Sequence, residues 1–287
     1  MKILIYGSKG WIGGMFLNLL KNNNTSYIEG VSRVDNMEEV NNEIIEHNPS
    51  HIVSFIGRTH GENYTTIDYL EQPGKLYENM RDNMYGPFVL AILAERYHLH
   101  LTYMGTGCIF KYDNTHEAGE EINGFKETDN PNFIGSSYSI VKGFTDMMMK
   151  NYRVLNLRIR MPITHVNNPR NFITKITNYK KICSIPNSMT VLDDMLPIIL
   201  DMMIRNISGT FNMTNPGLIS HNEILSMYKE YVDNNFTWVN FTEEEQRAIL
   251  KADRSNNYLD TNKLESYYPN IMNIKDSVKK CLMNFIK

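Results

Sequence analysis

The stretch KILIYGSKGWIGGMFLNLL, residues 2–20, decides the fold. Lys2 to Tyr6 is a short apolar run of the kind that forms a parallel strand covered on both faces. Gly7, Gly10 and Gly13 follow at three-residue spacing, and Trp11 to Leu20 carries apolar residues at helical spacing. The reading is strand, glycine turn, helix. Working outward, the alternation continues. Strand is predicted at Tyr27 to Ser32, helix at Glu38 to His47, strand at HIVSFIG (51–57) and a long helical pattern over 76–97. LHLTYMG (99–105) reads as strand, Tyr138 to Tyr152 as helix and VLNLRI (154–159) as strand. Strands alternating with helices predict an α/β fold built on a doubly wound parallel sheet. After Met161-Pro162 the segments become shorter and more polar, and GTFNMT (209–214) reads as a late strand returning to the sheet.

The glycine turn has a specific use. Gly7 permits a tight strand-to-helix turn, Gly10 lets backbone approach a pyrophosphate, and Gly13 lets the helix pack close to the sheet. Trp11 and Ile12 open that helix, whose free N–H groups and dipole favour an anion. This is the arrangement of a Rossmann dinucleotide-binding lobe, assigned to residues 1–162. Residues 163–287 then form mostly a smaller substrate-binding lobe, with the strand near 209–214 excepted. Cofactor flavour is set about 20 residues on, near the end of the second strand. Glu29 there suits the ribose of NAD, and Arg33 suits a 2′-phosphate. Arg33 lies just past the expected strand end, so NADPH is favoured, with NADH as the alternative.

Composition narrows the classes. The 287 residues are 42% hydrophobic and 21% charged, with a formal charge of −3. There is no basic excess for nucleic acid and no apolar run near the roughly 18 residues that span a bilayer. The N-terminus lacks the pattern of a secretory signal. The three cysteines, Cys108, Cys183 and Cys281, are odd in number and widely spaced, which predicts neither disulfides nor a metal site. A reducing, cytoplasmic setting is expected.

Tyr138 and Lys142 stand four apart, on one helical face. A carbonyl reductase needs a proton donor beside the carbon that accepts hydride, and a tyrosine whose pKa is lowered by a nearby ammonium serves at neutral pH. The lysine is also suited to hold the nicotinamide ribose. Thr106, just after a strand, offers a hydroxyl to orient the carbonyl, or is simply a strand-end turn residue.

The glycine turn, Thr106 and the Tyr138/Lys142 pair together resemble an extended short-chain dehydrogenase/reductase. Members of that group that dehydrate a sugar nucleotide carry Asp-Glu directly after the Thr. Here those positions are Gly107 and Cys108, so loss of water is not expected and the substrate is already a 4-keto sugar. The resemblance narrows through YGSKGWIGG (6–14), TGCIF (106–110), RMPI (160–163), NPRNFITKIT (168–177), IPNSMTVLDDMLP (185–197), TNPGLISHNEIL (214–225) and RSNNYLD (254–260). These runs are similar to the C-terminal half of plant rhamnose synthases and to stand-alone bifunctional 3,5-epimerase/4-reductases. The resemblance implies conversion of UDP-4-keto-6-deoxy-D-glucose to UDP-L-rhamnose with NADPH.

A C4 ketone acidifies the protons on C3 and C5, so inversion there needs a base, an acid and stabilisation of the enolate oxygen. Cys108, two residues from Thr106, is a credible base if a cation lowers its pKa. The resemblance assigns the acid to Lys175. Arg170 and Asn171 suit diphosphate oxygens, and the resemblance adds Arg254. Asn187 is expected at the base or ribose. A homodimer is expected by fold analogy alone. Two rivals stand beside this reading: a reductase without epimerase activity, and a catalytically silent regulatory subunit on the same fold.

Overall fold

The computed structural model describes residues 1–116 and 123–286. The strands are β1 (Lys2–Tyr6), β2 (Ser26–Glu29), β3 (His51–Ser54), β4 (His100–Thr106), β5 (Val154–Ile159) and β6 (Gly209–Asn212). They form one six-stranded parallel sheet in the order β2-β1-β3-β4-β5-β6. Lys2 of β1 lies opposite Ser26 of β2, and Ile3 lies opposite His51 of β3. Every residue of β3, β4 and β5 is buried, as expected for a sheet covered on both faces. The order reverses at β1, so a crevice opens outside the carboxyl ends of β1 and β3.

Helices α1 (Trp11–Asn22), α2 (Met37–His47), α3 (Leu76–Met80), α4 (Gly86–Arg96) and α5 (Ser137–Met149) accompany these strands. Asn36 caps α2 by accepting from the Glu39 N–H at 3.3 Å, and Ser136 caps α5 by accepting from the Ser139 N–H at 3.0 Å. Between α3 and α4 the chain makes a π-helical turn over Arg81–Tyr85. The carbonyl of Asn83 in that turn takes the Thr145 hydroxyl of α5 at 2.9 Å. Later in the chain come α6 (Phe172–Thr177), α7 (Leu192–Ile204), α8 (His221–Tyr231), α9 (Glu243–Ile249), α10 (Asn262–Tyr267) and α11 (Ile274–Met283).

The chain divides into two compact units. Unit 1 holds residues 1–109, 130–158 and 196–211. Its core includes Leu4, Ile52, Leu90, Leu93 and Leu101. Unit 2 holds residues 110–129, 159–195 and 212–287. Its core includes Ile173, Ile176, Val191, Ile224 and Val278. Segment 110–129, inside the stretch read as one lobe, belongs to the second unit. It is held there by Phe125, whose N–H donates to the Tyr258 carbonyl and whose carbonyl accepts from Asp260, both at 2.9 Å.

The second strand stops at Glu29, short of the predicted Ser32. The reason is a side chain. Glu43 of α2 accepts the backbone N–H of Val31 at 2.7 Å and of Ser32 at 3.3 Å, so those groups never join the ladder. Glu43 also accepts the Tyr6 hydroxyl at 2.7 Å. Burial works against its charge, but these donors hold its carboxyl below the ordinary range.

Candidate active site

The glycine turn fits a dinucleotide pyrophosphate. Gly7 has φ of +81°, and a Cβ there would meet the Phe55 backbone at 3.1 Å. A Cβ on Gly13 would lie 2.1 Å from the Gly7 carbonyl oxygen, so the helix approaches the turn only because Gly13 has no side chain. Gly10 caps α1 without a side chain, and no acidic residue occupies the first turn. The free N–H groups of α1 are therefore open to an anion. The Ser8 hydroxyl donates to Glu29 at 2.7 Å, which ties the turn to the end of β2. Arg33 pairs with Asp35 at 2.9 Å, its side chain 60% exposed. Glu29 and Arg33, the two residues weighed for cofactor flavour, therefore both have partners within the protein.

The residues expected at the reductase centre lie in unit 1. Thr106 ends β4, and its hydroxyl accepts the Cys108 N–H at 3.1 Å. The Ser139 hydroxyl of α5 donates to the Cys108 carbonyl at 2.7 Å, clamping this turn to the helix. Tyr138 is 8% exposed and hydrogen-bonded to Thr106 through its hydroxyl. Cys108 packs against a small cluster of Tyr69, Leu70 and Tyr138, with Tyr64 and Ile67 at its edge. Four of the expected residues, Thr106, Cys108, Tyr138 and Lys142, are thus brought together.

One expectation needs correction. The Tyr138 phenol is not acidified by Lys142. Burial and the neighbouring Cys108 push its pKa up, and only the Thr106 hydrogen bond works the other way. The Lys142 ammonium donates instead to the Tyr103 hydroxyl and, at 3.4 Å, to the Met104 carbonyl. Burial pushes the Lys142 pKa down to about 8, against the pull of Asp146 and Cys108.

Unit 2 holds the remaining expected residues. Lys175 lies on α6, half-buried, and no carboxylate is ion-paired with it among the described residues. Burial, then the charges of Arg170 and Arg254, push its pKa down. Lys175 thus feels the positive charges of Arg170 and Arg254. Arg170 is itself held low by burial, and Arg254 donates to the Ala252 carbonyl at 2.7 Å.

Asn171 and Asn187 are corrected from ligand contacts to structural residues. Asn171 is fully buried and caps α6, accepting from Ile173 at 3.1 Å. Its amide donates to Thr164 at 2.7 Å and Val166 at 2.9 Å, so no donor is left for a phosphate. Asn187 is also fully buried. Its oxygen accepts from Arg160 at 2.6 Å and Asn257 at 2.9 Å, and its amide donates to Ile185 at 3.1 Å and Asn256 at 2.9 Å. It holds the buried guanidinium of Arg160.

Sequence reasoning missed several neighbours of the site. Tyr103 receives the lysine. Glu71 accepts both the N–H and the hydroxyl of Ser137 at 2.8 Å, beside Tyr138. Asn83 accepts the Arg58 N–H and donates to its carbonyl, both at 2.9 Å. None sits in a motif, and Asn83 follows the polar pair Arg81 and Asp82, so no sequence pattern marks it. Burial pushes Cys183 and Cys281 up. Among the described residues no cluster of His, Cys, Asp and Glu could hold a metal, and no helix is long and apolar enough to cross a membrane.

No family model matches the chain. Its backbone superposes on the crystal structure of the L780 UDP-rhamnose synthase from Acanthamoeba polyphaga mimivirus with a TM-score of 0.96, at 54% identity and covering 99% of both chains. A bifunctional dTDP-4-dehydrorhamnose 3,5-epimerase/reductase of Arabidopsis thaliana is 46% identical over 279 residues, 96% of this chain and 91% of that one. A trifunctional Arabidopsis UDP-glucose 4,6-dehydratase/3,5-epimerase/reductase is 44% identical over 98% of this chain, which spans 41% of that protein. Similarity at this level, over nearly the whole length of the chain, shows that it belongs to the rhamnose-nucleotide 3,5-epimerase/4-reductase family, on the extended short-chain dehydrogenase/reductase fold.

Proposed function

We propose that this chain converts UDP-4-keto-6-deoxy-D-glucose to UDP-L-rhamnose, inverting C5 and C3 and then reducing C4. The observation that carries the reading is the convergence of Thr106, Cys108, Tyr138 and Lys142 in one unit. A reductase alone would need no thiol beside the phenol. A silent subunit would need neither.

In the epimerisation, Cys108 as thiolate removes the proton beside the ketone. The electron pair moves onto the C4 oxygen, where the Thr106 and Tyr138 hydroxyls stabilise it. Lys175 returns a proton to the opposite face, and its depressed pKa makes that transfer easier. Cys108 then loses its proton to solvent and Lys175 regains one, so solvent hydrogen enters the sugar.

For the reduction the glycine turn of Gly7, Gly10 and Gly13, with Trp11 and Ile12, would hold the cofactor's pyrophosphate, and Lys142 its nicotinamide ribose. NADPH bound there would supply the hydride for C4. Tyr138 gives its proton to the C4 oxygen. Arg33 would meet a 2′-phosphate on leaving Asp35, whereas Glu29 favours NADH as the alternative. Arg170 and Arg254 bind the diphosphate of the UDP-sugar. In this division of labour residues 1–162 mostly serve the cofactor and 163–287 mostly the substrate. A second copy is expected on the apolar face of α5, where Ile140, Phe144, Met147 and Met148 are 37 to 51% exposed. Three unpaired cysteines fit a reducing, cytoplasmic setting. The test is to mix the protein with NADPH and the keto-sugar and follow nicotinamide absorbance. The reading expects it to fall. Unchanged absorbance favours the silent subunit.

A further inference from the structure

Asp146 lies one helical turn beyond Lys142 on α5 and is 3% exposed. One of its oxygens accepts from Arg158 Nε at 2.9 Å and from Asn156 at 2.8 Å, and the other accepts from Arg158 Nη2 at 2.6 Å. Arg158 is fully buried. A buried ion pair of this kind is commonly no more stabilising than apolar side chains of the same volume. Its presence beside a buried lysine calls for another role.

The surroundings of Lys142 suggest one. Its hydrogen-bond acceptors, Tyr103 and the Met104 carbonyl, are neutral. Among the described residues, the titratable and charged groups near it are Tyr138 and Asp146 from α5, Tyr103 from β4, Cys108 from the turn after β4, and Arg158 from β5 across Asp146. Asp146 is the one carboxylate among them. Residues four apart on a helix are neighbours, and a charge acts strongly where water is excluded.

We propose that Asp146 is a positioning residue for the reduction: its charge keeps the amine of Lys142 an ammonium in a dry site, and Arg158 limits how strongly it does so. The proposal rests on the reading in which Lys142 holds the nicotinamide ribose, a task that needs the charged amine. Reduction then fails as pH rises through the Lys142 pKa. Weakening Asp146 lowers that pKa and moves the alkaline limb of the rate profile to lower pH.

The experiment compares wild type, D146E and the paired variant D146N/R158M, which removes both buried charges and leaves no orphan. Two readouts are taken: the pH profile of kcat for NADPH oxidation with the keto-sugar, and a ¹³Cε-lysine NMR titration of Lys142 in the cofactor-free protein, assigned by its absence in K142M. In the paired variant both midpoints are expected to fall by about one pH unit, whereas D146E, which keeps the carboxylate, is expected to leave both close to wild type. A purely structural role would lower kcat at every pH and leave both midpoints unmoved, which would overturn the proposal. If wild type consumes no NADPH, the functional reading fails, and the NMR titration still decides the claim about Asp146.

Discussion

The buried ammonium of Lys142 donates to the hydroxyl of Tyr103 on β4, while its helix neighbour Tyr138 keeps company with Thr106 and Cys108. The consequence is a phenol that stays protonated across the neutral range, as an acid must when it caps a newly formed C4 alkoxide. Tyr138→Phe is therefore expected to slow NADPH oxidation about 10²- to 10⁴-fold, and to slow deuterium entry from solvent far less, because Thr106 still stabilises the enolate oxygen. The wild-type reduction should decline above about pH 8, where Lys142 loses its proton. Equal loss of reduction and exchange in the phenylalanine variant would argue that the tyrosine only supports the fold.

Cys108→Ser keeps the shape of the turn and replaces the thiol with an alcohol. Incorporation of solvent deuterium at C3 and C5 should be lost. If both positions still exchange at the wild-type rate, another group is the base.

Lys175→Arg preserves the positive charge yet cannot release a proton near neutrality. Exchange should drop about 10²-fold or more, with KM for the UDP-sugar changed only a few-fold. In the wild type, the proton-donating form disappears below the ordinary lysine range as pH rises, because burial and two guanidinium groups disfavour the ammonium. A pH profile of the exchange rate that stays flat up to the ordinary lysine range would count against this acid.

How far the sequence could be read follows from which contacts are local. β1, the glycine turn and α1 are one continuous stretch, and each residue's task there is dictated by its immediate neighbours. Tyr138 lies on the helix α5 and Thr106 at the end of β4, so their pairing needed only strand-then-helix reasoning. Asn171 and Asn187 were misjudged because the residue type suits both ligand binding and buried hydrogen bonding. Only the positions of Thr164, Val166 and the Arg160 guanidinium distinguish the two. The early end of β2 depended on Glu43, and the attachment of segment 110–129 to unit 2 depended on residues 258–260. Such long-range pairings leave no periodicity to read.

The contrast between Asn187 and Arg254 gives a paired prediction. Asn187→Ala strips an acceptor from a buried guanidinium and should cost about 3 kcal/mol of stability, read by urea denaturation. Arg254→Ala should barely change stability and should raise KM for the UDP-sugar roughly 10- to 100-fold through loss of a charge-assisted contact. A rise in KM without loss of stability at Asn187 would return it to the ligand site.

His221 makes stability sensitive to acid. Burial holds its pKa down to about 4, a hydrogen bond to Ile185 only partly offsetting this, and among the described residues its Nδ1 has no hydrogen-bond partner. A histidine depressed in the folded state contributes stability above its unfolded pKa of about 6.5, and that contribution is lost as pH falls from there towards 4. The loss amounts to at most about 3 kcal/mol. His221→Gln should flatten the fall of denaturation midpoint over this window. An unchanged slope would show that the acid sensitivity, if any, lies elsewhere, for example at His51 and His100, whose pKa values burial also lowers.

The most direct test of the central claim is proton NMR of the sugar nucleotide formed in deuterated water from UDP-4-keto-6-deoxy-D-glucose, NADPH and this protein alone. The account predicts UDP-L-rhamnose carrying deuterium at C3 and C5. A reduced 6-deoxy sugar with both carbons uninverted and free of deuterium would contradict it.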